Sequence, residues 1–142
     1  MASVRILIAD GSRAWRQAFC SILREYLESV VICESSDGLE AVRKSEELQP
    51  DLVLLDIGLP NLNWLEAARQ IRKLAPGSRI LFLSSYDWPE LLHKAISIGA
   101  LGLVSKSEAA RDLLPAVSAV LRDEKYFGGG FSPLDPTKPP HN

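Results

Sequence analysis

The chain has 142 residues and a formal charge of −2 from 16 basic and 18 acidic side chains. That length suits one domain with a single core, and the near balance leaves no global basic footprint for nucleic acid and no polybasic patch for a membrane. With 46% hydrophobic and 24% charged residues the composition is that of a soluble globular protein, and no apolar run approaches the ~18 residues of a spanning helix.

The first ten residues read as a short strand, Arg5 to Ala9, stopping at Asp10. The apolar run is too short for a signal peptide and no cleavage site follows, so the expected compartment is the cytoplasm. Arg13 to Leu27 repeats apolar residues at helical spacing (Trp15, Phe19, Ile22, Leu23, Tyr26). Val30 to Cys33 is a β-branched second strand. Asp37 is followed three residues on by Glu40, the pattern of a capping box with aspartate at the cap. The helix it opens should run to about Leu48, and Pro50 stops it.

Leu52 to Leu55 is continuously apolar, as in a strand buried on both faces. Leu62 to Leu74 is helical in period and ends before Pro76-Gly77. Arg79 to Leu83 is the fourth strand. Asp87 caps the next predicted helix, with Pro89 in its first turn and its end near Gly99. Leu101 to Val104 is the fifth strand, and Ser107 begins a last helix ending near Arg122. Pro115 conflicts with that helix: either Asp112 caps a late start or a longer helix kinks at the proline, and a late or irregular start is expected. Residues 1–127 form one domain. Residues 128–142, with Gly128 and four prolines from Pro133 to Pro140, form a tail or linker.

Strand–helix units joined by short connections imply a parallel sheet with helices on both faces. Sites in such sheets form beyond the carboxyl ends of the strands. There the first strand ends at Asp10, the third at Asp56, the fourth at Ser84-Ser85, and Lys106 follows the fifth. Two carboxylates suit a hard cation such as Mg²⁺. A lysine and hydroxyls suit phosphoryl oxygens.

Four fragments carry a family resemblance. They are Ile6-Leu7-Ile8-Ala9-Asp10, the run from Pro50 through Asp56 to Pro60, Ile80 to Ser85, and Gly99 to Lys106. Over about Val4 to Tyr126 the chain resembles a response-regulator receiver domain, with Lys106 to Pro115 closest to receivers of the NarL/LuxR-type subgroup. The resemblance implies an α/β fold: a doubly wound five-stranded parallel sheet of order 2-1-3-4-5 in a flavodoxin/CheY-like three-layer sandwich. It implies that Asp56 accepts a phosphoryl group from a sensor histidine kinase. Asp10, Asp56 and the Gly58 carbonyl would hold Mg²⁺; Ser84 would be the switch hydroxyl; Ser85 and Lys106 would bind the phosphoryl group. It further implies self-association, and a DNA-binding output domain in a longer parent chain; no membrane or direct nucleic-acid contact is assigned to these residues.

Three positions depart from the family. Gly11 stands where a second acid is usual, which lowers Mg²⁺ affinity. Leu103 replaces a frequent aromatic, and Trp64 a small residue. Gly11 supports the alternative of a pseudo-receiver, a binding module with weak or absent phosphorylation. An independent enzyme is disfavoured, beyond Mg-dependent self-phosphorylation and self-dephosphorylation. Asp10-Gly11-Ser12-Arg13 is not a flavin phosphate loop, and a dehalogenase-type phosphatase would need an acid where Gly58 stands. Cys20 and Cys33 have no metal or redox spacing, and Trp15, Trp88, His93 and His141 read as packing or solvated residues.

Overall fold

Alternating apolar runs and amphipathic segments fold into a layered α/β structure in the computed structural model, which describes residues 3–86 and 89–128. The expected Asp87 cap, Trp88, His141 and the tail from residue 129 lie outside the described residues. In chain order the elements are β1 (Val4–Ala9), α1 (Arg13–Tyr26), β2 (Val30–Ser35), α2 (Gly38–Leu48), β3 (Leu52–Asp56), α3 (Trp64–Leu74), β4 (Arg79–Ser84), α4 (Pro89–Ser97), β5 (Gly102–Ser105), a 3-10 turn (Lys106–Glu108), α5 (Ala109–Leu121) and β6 (Tyr126–Phe127). The sheet is parallel throughout, in the order β2-β1-β3-β4-β5-β6. This is the anticipated 2-1-3-4-5 order with a sixth strand added on the β5 edge.

Strand alternation divides the core in two. Leu7, Val53, Leu55 and Phe82 pack with Ala67 and Ile71 of α3 and Ala95 of α4. Ile6, Ile8, Leu52 and Leu54 pack with Phe19 and Leu23 of α1 and with Leu113 and Val117 of α5. β3 is buried along its whole length, as its unbroken apolar run requires. Each such Leu, Ile or Phe contributes about 1.5–3 kcal/mol of burial. The Asp37 side chain accepts the Glu40 amide at 2.8 Å, so the capping motif starts α2 where anticipated. Both cysteines are free thiols.

The last helix has the expected irregular start but not the late one capped by Asp112. A 3-10 turn leads into α5 at Ala109, and Pro115 lies inside the helix. Asp112 is not a cap: it is buried, with Arg111 and the Tyr126 hydroxyl on its carboxylate. Pro115 sits on the exposed side. The helix continues because its other side, Leu113, Ala116, Val117 and Val120, is buried against the sheet, and that burial outweighs one lost backbone donor. Pro115→Ala is therefore expected to raise the unfolding free energy by about 1–3 kcal/mol in urea titration. An unchanged midpoint would show that the ring is accommodated without cost.

Candidate functional site

Sheet register brings distant residues to one rim. Ala9 pairs with Leu55, so Asp10 and Asp56 occupy the next rung on adjacent strands. Asp56 pairs with Leu83, and Leu83 with Val104. Lys106 follows two residues beyond, at the start of the 3-10 turn. Asp10 and Asp56 continue the alternation of Ile8 and Leu54, so both carboxylates stand on the α1/α5 side of the sheet.

Lys106 joins them. Its Nζ lies 2.5 Å from Asp10 Oδ2 and 3.2 Å from Asp56 Oδ1, with all three side chains less than a tenth exposed. Asp10 Oδ1 accepts the Ser12 amide at 2.8 Å. Oδ2 makes no directed hydrogen bond, so its contact with Lys106 is ionic. Asp56 Oδ1 also accepts the Gly58 amide at 3.1 Å. Burial pushes the Asp56 carboxyl above its usual range, and Asp10 pushes the same way; the Gly58 amide and Lys106 oppose the shift. Two carboxylates against one ammonium leave the pocket one negative charge in excess, which favours a cation.

The other anticipated residues are placed less directly. Gly58 contributes through its backbone. Ser84 is buried, but its hydroxyl is turned into its own loop: Oγ donates to the Tyr86 carbonyl at 2.6 Å and accepts the Tyr86 amide at 2.9 Å. Ser85 is exposed beside it. Leu103 is fully buried in the core next to Phe127. The Trp64 ring meets Phe82 edge-on at 4.8 Å and walls a cleft of about 430 Å³ that also touches Gly58, Tyr86 and Leu91.

Two neighbours of the pocket were not singled out as site residues. Trp15 stacks on Phe19, and Lys106 Nζ lies 5.6 Å from its ring centre, a cation–π distance. Arg16 donates to the Asp10 carbonyl at 2.6 Å and to Glu34 at 3.0 Å, tying the β1–α1 loop to β2. Both belong to the first turn of α1, directly after Asp10. Their place one turn past a strand-end acid is the signal that points to them.

Asp10, Asp56 and the Gly58 carbonyl are all hard oxygen donors, and Asp10 Oδ2 already faces a cation, the Lys106 ammonium. The set fits Mg²⁺, which binds few protein ligands and keeps several waters. It is a minimal set: among the described residues no three His, Cys, Asp or Glu side chains converge.

A family model described as the response regulator receiver domain matches residues 6–118. The response regulator protein VraR of Staphylococcus aureus is 30% identical over 88% of this chain and 60% of its own. The uncharacterized transcriptional regulatory protein YxjL of Bacillus subtilis is 27% identical over 87% and 57%. This chain thus spans less than two thirds of the length of these relatives. A crystal structure of a LuxR-family two-component response regulator from Aurantimonas superimposes with a TM-score of 0.80 at 30% identity, covering 88% of this chain and 89% of the other.

Proposed function

Because this chain belongs to the response regulator receiver domain family of two-component systems, we propose that it accepts a phosphoryl group on Asp56 from a sensor histidine kinase and answers by reshaping its α4–β5–α5 face. The observation that carries this reading is the buried Lys106 ammonium shared by Asp10 and Asp56. A lone structural aspartate at a strand end needs neither a second carboxylate nor a buried cation.

The chemistry follows from the residues. Asp56 is the nucleophile: one carboxylate oxygen forms a bond to phosphorus as the bond from phosphorus to the donor breaks. Asp10, Asp56 and the Gly58 carbonyl would hold Mg²⁺, which when bound neutralises charge on the donor. Lys106 is placed to take a phosphoryl oxygen in place of its contact with Asp56. Ser84 must release the Tyr86 backbone to reach the group. A phosphoryl group brings about −1.5 to −2 charges and three acceptor oxygens, so Lys106 and the Ser84–Tyr86 loop are the first elements it biases. Residues 1–127 are the receiver, with Gly128 still bonded to the Leu103 carbonyl, and the residues after it are the tail or linker. A DNA-binding output domain elsewhere in a longer chain fits a relative named as a transcriptional regulator, and self-association is part of the same reading.

Incubation with acetyl phosphate and Mg²⁺, read by intact mass, tests the acceptor role. The chain should gain one phosphoryl mass. No gain, under conditions that modify a control receiver, would identify a binding module that shares only the fold.

Gly11 sets the metal affinity. A Cβ there would meet Pro60 at 3.5 Å and the Ser36 carbonyl at 3.7 Å, ordinary contacts, so a side chain fits. Gly11→Asp is expected to tighten Mg²⁺ binding roughly tenfold by adding a charged oxygen donor. Titration of tryptophan emission reads this, since Trp15 lies over Lys106. Equal binding by the two chains would place residue 11 outside the metal site.

A further inference from the structure

Charge is unevenly spread over the helices. Together α3 and α4 carry four basic side chains, Arg69, Arg72, Lys73 and Lys94, against two acidic ones, Glu66 and Glu90. That is a net +2 on a chain whose total is −2. On other elements the exposed Arg43, Arg111 and Arg122 each meet a carboxylate at 3.1–3.4 Å. Among the described residues Arg72, Lys73 and Lys94 meet none. Arg72 donates instead to the Gly99 carbonyl at 3.0 Å, and all three side chains belong to exposed residues. Arg24 and Lys125 are unpaired too, but they lie apart, on α1 and after α5.

The unpaired cations border a groove. Leu65 and Arg69 of α3 and His93, Lys94, Ser97 and Ile98 of α4 line a cleft of about 320 Å³. Arg72 and Lys73 extend the same stripe of α3, three and four residues past Arg69. The bond from Arg72 to Gly99 ties that stripe to the chain leaving α4. Lys94 also lines the neighbouring cleft walled by Trp64, so the two clefts adjoin at one ammonium. Their floor is aliphatic: Leu65, Ile98 and Ile57 are half-buried and Leu91 is buried.

We propose that the α3–α4 groove docks a segment of a partner protein in which acidic and aliphatic side chains alternate. Charge complementarity names the acidic half: its carboxylates give Lys94, Arg72 and Lys73 the counter-charge that Arg43, Arg111 and Arg122 find within the chain. The floor names the aliphatic half, since Leu65, Ile98 and Leu91 are covered by apolar side chains. In such a contact the aliphatic burial supplies affinity, while the cations at the rim steer and select. A nucleic acid fits less well. A row of phosphates brings no aliphatic group to the floor, and Glu66 and Glu90 interrupt the cations it would need. The groove does not depend on phosphorylation of Asp56, and its test uses no phosphoryl donor.

The probe is a short labelled peptide of alternating Glu and Leu, titrated with the full chain and read by fluorescence anisotropy. It should bind, and more weakly as salt rises. Replacing its Leu by Ser, or its Glu by Lys, should weaken binding at least about tenfold. Lys94→Glu should also weaken it about tenfold, whereas Arg24→Glu, the same change of charge on α1, should leave it unaltered. Lys73→Glu is a second variant on the same groove, and Lys73 and Lys94 are both exposed, so neither change touches the core. Amide shifts of the labelled chain should move at Leu65, Arg69, Lys94 and Ile98. No binding, shifts confined to other elements, or equal losses from Lys94→Glu and Arg24→Glu would overturn the groove. Tighter binding of a DNA duplex than of the peptide would overturn the protein segment as its occupant.

Discussion

Replacing Lys106 by methionine is expected to destabilise the fold by about 3 kcal/mol at neutral pH, because it removes one partner from a buried ionic cluster rather than a whole pair. Asp10 and Asp56 would then face each other with no cation, and neither is exposed enough to be screened by water. Burial and Asp10 already push the Asp56 carboxyl up; without Lys106 it rises further. A carboxyl whose folded pKa lies above its unfolded value adds stability below the unfolded value, near 4. That stability is lost as the pH rises through the folded value. The deficit of Lys106→Met relative to the parent should therefore be large at pH 7 and shrink toward pH 4. Urea unfolding of both chains across that range reads the difference. A deficit independent of pH would mean that the lysine stem, not its charge, matters here.

The sequence was most legible where physics is local and repeated. Unbroken apolar strands, helical spacing and the Asp37 cap placed every element from β1 to β5 to within a few residues. Asp10, Asp56 and Lys106 were legible for a different reason: parallel strands of similar length must end on one rim, so acids at strand ends meet there. Three features were hidden. β6 is two residues between Lys125 and Gly128, too short for any period, and it is held by a carboxylate on α5. Pro115 reads locally as a breaker, and only the tertiary burial of its neighbours Leu113, Ala116 and Val117 lets α5 continue past it. The orientation of the Ser84 hydroxyl depends on the Tyr86 backbone two residues on, a loop geometry that no residue pattern encodes.

Asp56→Asn should produce the opposite pair of effects: no phosphoryl acceptance, and a fold more stable by on the order of 1 kcal/mol at pH 7. The amide keeps the shape of the carboxylate and can still accept the Gly58 amide, while the cluster falls from two carboxylates and one ammonium to one of each. Since the folded Asp56 pKa is raised, the parent forfeits stability as pH climbs, and asparagine removes that loss. The gain should therefore vanish in acid, where Asp56 is protonated in both folded and unfolded chains. The same logic predicts non-additivity with Lys106→Met. In the double variant Asp10 is the one carboxylate left in the cluster, so the deficit of the single lysine variant should be restored by about 2–3 kcal/mol, more than the roughly 1 kcal/mol that Asp56→Asn gains alone. Additive effects of the two substitutions would show that Lys106 serves Asp10 alone. A strand-end acid that lowers the stability of its own fold is kept for something other than the fold, and this cycle measures that cost directly.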